Sequence, residues 1–256
     1  MTEPVVSIII PTFNRNELLK YGLTSISKQV TAFPYEIIIL NEYIDDESSI
    51  LAKQFNARYI ITRPEMTKET VSWRCPGYAI NHGVKQAKGE YIIIACPEIF
   101  HLNPTNIQKL INPLIMSNDK IITYTDGVDD SGNLLNSLRT NVQDSVLPMT
   151  VGNRPLNTKF PFFMAMRKAD FISVGGYEER FQQGFAFDDT NFSKRLENNG
   201  FQYIKVEGKI VHIFHPRLRY NLPEIQRLWK INEALYIELI NQKIANEGVE
   251  WGNFGH

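Results

Sequence analysis

Residues 6–15 read Val-Ser-Ile-Ile-Ile-Pro-Thr-Phe-Asn-Arg, and this stretch decides the fold. Residues 5–10 are mostly β-branched and bounded by Pro11, the mark of a short buried strand. Asn14 then stands where a helix cap belongs, with Glu17 three residues on and Leu19, Leu23 and Ile26 at helical spacing. A buried strand that turns directly into a helix is the first unit of an α/β sheet.

The same unit recurs outward from there. Residues 36–40 (Glu-Ile-Ile-Ile-Leu) read as a second strand, and Asp45 and Asp46 can cap a helix carrying Leu51 and Phe55. A third strand falls on residues 58–62, and a helix over 78–87 places Ile80, Val84 and Ala87 on one face. Gly89 stops that helix before a fourth strand at 91–95. Four apolar strands alternating with helices predict a mostly parallel, Rossmann-like sheet flanked by helices. Further on come a helix from Asn103-Pro104 to about residue 117 and a strand over 121–124. A polar surface excursion over 126–154 precedes a strand at 160–166. The last elements are a capped helix at 188–200, a strand at 209–214 and a helix from Pro223 to about 247. No repeat or linker interrupts the chain, so the expected organisation is one domain over residues 1–220 and a C-terminal helical extension over 221–256.

Composition narrows the function. The 256 residues suffice for a substantial core. Lys and Arg total 27 against 28 Asp and Glu, so no basic field exists to hold a nucleic acid. Two cysteines, Cys75 and Cys96, form one bridge at most, and a reducing cytoplasm is the simpler setting. The expectation is a cytoplasmic protein, peripheral to a membrane at most. The N-terminal residues lack the pattern of a signal peptide, and no apolar run approaches the ~20 residues of a membrane span.

In such a sheet ligands bind beyond the carboxyl ends of the strands. The residues there are Pro11, Thr12, Asn14 and Arg15 after the first strand, and Asn41 and Glu42 after the second. Cys96-Pro97-Glu98 follows the fourth. Farther along stand Gly175-Gly176-Tyr177-Glu178-Glu179, Asp188-Asp189 and the run from His212 through His215 to Arg217. Mg²⁺ and Mn²⁺ favour oxygen ligands and Mn²⁺ also accepts imidazole, so Glu98, His215 and His212 are residue types able to hold such an ion. Histidines three apart on a strand face opposite ways, so both reach one ion only if the strand ends between them, which Pro216 favours. Cys96 reads as a packing residue, because a thiolate suits softer metals. Asp188 and Asp189 serve either as helix cap and first-turn charge or as an acid pair facing a cleft.

Taken in order, these segments resemble family 2 glycosyltransferases, which have the GT-A fold. The likeness is carried by residues 6–15, by Asn81 and Gly83 ahead of Gly89-Glu90-Tyr91-Ile92, by residues 175–179 and by 187–196; it spans roughly residues 5–217. It implies a nucleoside-diphosphate-sugar donor, UDP-sugars favoured, and a glycan, lipid or other hydroxyl acceptor. It also implies Mn²⁺ or Mg²⁺ at Glu98, His215 and His212. Asp189 then takes the place of the general base of inverting members, and Asp188 that of the acid that helps hold the acceptor. Pro11, Thr12, Asn14, Arg15, Asn41, Glu42, Asn81 and Arg217 become the donor-binding set. The family's Asp-x-Asp falls on Cys96 and Glu98, and its Asp-Asp after the second strand on Asn41 and Glu42. Those departures leave open a catalytically silent nucleotide-sugar or glycan-binding module. A nicotinamide dehydrogenase is excluded, because no Gly-x-Gly-x-x-Gly turn follows the first strand.

Overall fold

The computed structural model describes residues 3–67, 75–140, 154–155, 163–216 and 222–253. The first half alternates as read: β1 (Val6–Thr12), α1 (Asn16–Ile26), β2 (Tyr35–Asn41), α2 (Asp46–Gln54), β3 (Arg58–Ile61), α3 (Gly77–Gln86) and β4 (Tyr91–Ala95). Then come β5 (Ile99–His101), α4 (Asn106–Met116), β6 (Ile121–Asp129), α5 (Asn133–Arg139), β7 (Arg154–Pro155), β8 (Phe163–Arg167) and α6 (Lys168–Ser173). A 3₁₀ turn (Glu179–Gln183), α7 (Asp188–Asn198), β9 (Gln202–His212) and α8 (Pro223–Glu238) complete the described elements.

One sheet joins all of these strands in the order β3-β2-β1-β4-β8-β6-β9-β5, with β7 on the flank of β6. β3, β2, β1 and β4 run parallel. β8 is antiparallel to both β4 and β6, β9 runs parallel to β6, and β5 returns antiparallel on β9. Period-two alternation splits the core between two faces. Ile8 and Ile10 point into a cluster with Leu19 and Leu23 of α1 and Leu110 of α4, while Ile9, Ile38 and Leu40 meet Ala79 and Val84 of α3 and Phe192 of α7. Each fully buried isoleucine contributes roughly 1.5–3 kcal/mol by leaving water, so the β1–β4 face pairs fix this register firmly.

Several local readings change. Asn14 does not cap α1: the helix starts at Asn16, Arg15 holds the cap position, and Asn14 takes a left-handed φ of 50° that a short amide side chain tolerates. Glu17, expected in a capping box, pairs instead with Arg139 at 2.7 Å. Asp45 does cap α2, accepting from the Glu47 N–H at 3.1 Å. The polar stretch after residue 126 is more ordered than its composition implied. β6 runs on to Asp129, and buried Asp130 accepts from the N–H groups of Leu134 and Leu135, fixing the start of α5. β9 starts at Gln202 rather than 209, because its first half lies at the surface with polar residues that hide the strand pattern. α8 ends at Glu238, well short of 247; the chain then turns, with Asn246 and Gly248 in left-handed conformations.

Candidate functional site

The carboxyl ends of β1, β2 and β4 deliver Thr12, Asn41 and Ala95 to one edge of the sheet. Across that edge runs the β5–β9 pair. Its register sets Ile99 opposite His212, so the Ile213 N–H donates to the carbonyl of Glu98 at 2.9 Å. This pairing is what brings two distant segments together. β9 stops at His212, the chain bends before Pro216, and His215 swings onto Glu98, Nε2 to Oε1 at 3.6 Å. The His212 and His215 rings lie 5.1 Å apart. His212 itself leans the other way, its Nδ1 3.2 Å from Asp129 on β6. Arg15 closes the group: Nε donates to Glu98 Oε1 at 3.1 Å, and an Nη sits 3.3 Å from His215 Nδ1.

Cys96 packs against the core beside this group. Burial, then the nearby charges of Glu98 and Asp189, push its thiol well above the usual range. It therefore stays protonated, as a packing residue should.

The nucleotide-side candidates line a second recess. A small pocket of about 70 Å³ is bordered by Pro11, Thr12, Phe13, Glu42, Pro76 and Ala79. Thr12 Oγ1 is buried there without a hydrogen-bond partner, as is Asn41 Oδ1 at the end of β2, whose Nδ2 donates to Ser48 at 3.4 Å. Glu42 is buried 3.7 Å from Arg63, which lies over the Tyr78 ring at 4.3 Å. Asn14 and Arg15 instead border a cleft of about 470 Å³ with Tyr43, Asp45, Phe214 and His215. Asn81 is engaged elsewhere. Fully buried, it donates to the Tyr177 carbonyl and to Glu179, both at 2.9 Å, and accepts from the Tyr177 N–H at 2.8 Å. Its side chain is thus turned to the loop after α6. Arg217 lies outside the described residues.

The acidic pair opens α7. Neither carboxylate caps the helix; Phe187 is at the cap position and makes no side-chain cap bond. Asp188 is buried, and burial raises its pKa against the pull of neighbouring N–H groups and the Cys75 thiol. Asp189 is partly exposed and accepts from the Tyr177 hydroxyl at 3.1 Å. Burial first, then the charge of Asp188, lifts its pKa well above the carboxylate range, while the Tyr177 bond draws it back.

Two strained residues present this pair: Ala186 and Phe187 have φ of 62° and 68°. Such backbone costs of order 1–3 kcal/mol at each residue and persists only where its surroundings impose it. Here α8 imposes it. Buried Asn232 donates to the carbonyls of Phe181 and Ala186 at 2.8 and 2.7 Å, and the Phe185 N–H donates to Leu228 at 3.1 Å. Trp229 and Tyr236 pack their rings on Phe187, centroids 4.9 and 5.5 Å away.

A family model described as glycosyl transferase family 2 matches residues 7–174. The chain belongs to glycosyl transferase family 2. It is 22% identical over 93% of its length to chondroitin synthase of Escherichia coli, covering 38% of that protein. It is 27% identical over 44% of its length to dolichol-phosphate mannosyltransferase of Pyrococcus furiosus, covering 31%. The chain thus spans about a third of the length of these relatives. Among solved structures it is similar to residues 1–349 of S. aureus TarS in complex with UDP-GlcNAc. There the TM-score is 0.63 and the identity 14%, over 93% of this chain and 67% of that one. It is similar also to Mycobacterium tuberculosis glucosyl-3-phosphoglycerate synthase with Mn²⁺, UDP and glucosyl-3-phosphoglycerate. That match has a TM-score of 0.57 and 13% identity, over 96% of this chain and 82% of that one. The fold is that of the GT-A family.

A family 2 metal site is consistent with the donor chemistry at Glu98. Two ligands of one Mg²⁺ or Mn²⁺ at ~2.1 Å stand about 3 Å apart, near the 3.6 Å between Glu98 and His215. Among the described residues no three His, Cys, Asp or Glu side chains gather as a complete metal cage. Among the described residues no helix is long and apolar enough to cross a membrane.

Reading the sequence missed Tyr177, Asp129 and Asn232. Tyr177 stood inside the quoted Gly-Gly-Tyr-Glu-Glu run, but nothing in its spacing pointed to Asp189. Asn232 carried no signal, since an amide on a helix reads as solvent-facing.

Proposed function

We propose that this chain transfers a sugar from a nucleoside-diphosphate donor to an acceptor hydroxyl with inversion, dependent on a divalent metal. One observation carries the reading: the β5–β9 register brings His215 onto Glu98, Nε2 to Oε1 at 3.6 Å, beside the strand ends where ligands of such sheets bind. Glu98 and His215, with His212 behind them, would hold Mn²⁺ or Mg²⁺, which when bound offsets charge on the departing diphosphate. Thr12, Asn41 and Glu42 offer acceptors and donors to the nucleoside. Arg15, drawn off Glu98, can turn its guanidinium to the diphosphate. Asp189, ionised, takes the proton of the attacking hydroxyl, and Asp188 keeps the neighbouring charge that makes it a better base. UDP-sugars are the favoured donors, and a glycan or lipid hydroxyl the favoured acceptor; the cytoplasm supplies such donors.

Arg15 also favours a second reading. Its guanidinium already satisfies Glu98 and His215, as it would in a nucleotide-sugar or glycan-binding module without turnover. One experiment separates the two. UDP-glucose, UDP-N-acetylglucosamine, GDP-mannose and dTDP-glucose are tested for thermal stabilisation with Mn²⁺ and with excess chelator, and for release of nucleoside diphosphate. A transferase gives metal-dependent stabilisation and diphosphate release. Stabilisation without release supports the silent module, and undiminished binding and turnover in chelator ends the metal-dependent reading.

A further inference from the structure

Tyr177 is the most tightly fixed aromatic residue near the acidic pair. Gly175 and Gly176 turn the chain with φ of 78° and 65°, and a Cβ on either would run into Ala245 or Asn81. That turn drives the Tyr177 ring beneath α7, where it is fully buried and stacks on Phe192, centroids 4.3 Å apart and planes 11° from parallel. On the α3 side, a Cβ at Gly77 would lie 2.7 Å from the ring, so nothing larger than glycine fits there. Asn81 grips the Tyr177 backbone on both sides, and Asn246 Nδ2 adds a bond to its carbonyl at 2.7 Å. So much constraint on one residue ends in one polar contact: the phenol donates to Asp189 Oδ1 at 3.1 Å.

We propose that Tyr177 is a positioning residue for Asp189, its hydroxyl holding the carboxylate in one orientation and leaving Oδ2 to receive the acceptor's proton. The proposal rests on Asp189 being the general base. A core tyrosine needs some partner for its hydroxyl. The choice of a carboxylate already crowded by Asp188 is what gives the contact a chemical consequence. Among the described residues, the charged or titratable groups facing Asp189 are Asp188 on its own helix, Tyr177 from the loop after α6, and Cys96 from the end of β4. Asp188 and burial favour the protonated acid; of the three side chains only Tyr177 opposes them. Removing the phenol must therefore move Asp189's titration upward and leave less base at neutral pH.

Tyr177→Phe keeps the ring and its stack. The test follows the ¹³C-carboxyl signals of labelled aspartate by NMR as pH rises, with Asp189→Asn assigning the signal. In Tyr177→Phe the Asp189 midpoint should rise by about one unit, a tenfold change in its ionisation. Diphosphate release from the best donor among UDP-glucose, UDP-N-acetylglucosamine and GDP-mannose should fall five- to tenfold at neutral pH. The loss should recover as pH rises, with donor KM unchanged. Replacing Tyr177 by 3-fluorotyrosine, a stronger donor of the same shape, should move the midpoint down. An unmoved midpoint in both variants overturns the proposal. So does a Tyr177→Phe loss that no pH recovers. If Tyr177→Phe unfolds, the fluorotyrosine arm alone decides. The underlying reading fails separately: undiminished release by Asp189→Asn removes the base itself, whatever the midpoints do.

Discussion

Thr12, Asn41 and Ala95 end three parallel strands whose backbone register and isoleucine core fix them before any ligand arrives. Asp188 and Asp189, on the opposite wall, follow two residues in left-handed backbone held by side chains from α8 and the loop after α6. The strand-end wall is thus made by regular hydrogen-bond ladders, and the wall that bears the acidic pair by tertiary clamps. A ladder tolerates side-chain change at its end, while a clamp depends on single residues. The sequence departures fit this contrast. Cys96 and Asn41 differ from the family's usual acids at ladder ends, whereas the acidic pair sits intact on the clamped wall.

Six substitutions bear on the comparison. The largest effect belongs to Asp189→Asn, which keeps the Tyr177 contact and discards basicity. Turnover should fall by ~10²–10⁴-fold with donor affinity nearly unchanged. Initial rates beside a melting curve check it, and a large loss of stability would mark a structural acid instead.

Next comes the Glu98–His215 edge of the strand-end wall. Glu98→Ala or His215→Ala should weaken Mn²⁺-dependent donor binding by at least about tenfold, measured calorimetrically, with the fold intact. Cys96→Ser should change it little, since burial keeps the thiol protonated. Equal losses in the Ser and Ala variants would make Cys96 a ligand and blur the contrast between the walls.

Asn232→Ala tests the clamp directly. It strips the carbonyls of Phe181 and Ala186 of their donor at a buried site, a cost of about 1–3 kcal/mol in denaturant melts. Hydrogen exchange should quicken over residues 181–187 while the β1–β4 amides keep their protection. Uniform loss of protection would show the two walls to be one cooperative unit.

The smallest effect is expected from Ala186→Gly. Relief of the left-handed strain is partly offset by glycine's larger unfolded-state entropy, leaving a gain of under about 1 kcal/mol. A clear destabilisation would show that the Ala186 methyl packs usefully.

The same contrast decides what could be read beforehand. β1, β2 and β4 announce themselves because a strand buried on both faces must be a continuous apolar run, and Asp45 announces α2 because capping is a local bond. Glu98 and His215 were legible through family likeness and the bend at Pro216. Their meeting depends on the β5–β9 register, which no local pattern encodes. Asn81 was placed with the nucleotide because its motif lies next to the metal strand, yet its amide turns away to Tyr177. The polar first half of β9 and the short α5 escaped notice for a shared reason: surface strands and two-turn helices lack sustained hydrophobic periodicity. Asn232 was invisible because its value lies wholly in carbonyls some fifty residues away in the chain.

That last separation has a consequence for how the molecule is born. The four parallel strands β1–β4 and the helices between them lie within the first hundred residues, so their pairing can begin while synthesis continues. The turn at Ala186 and Phe187 gains the restraint that α8 supplies only when residues 223–238 emerge. Until then the left-handed pair is held less firmly. Completion of the wall that bears the acidic pair is therefore a late event in the life of the chain. A ribosome-stalled species ending near residue 220 should protect its β1–β4 amides from exchange before those of residues 184–188.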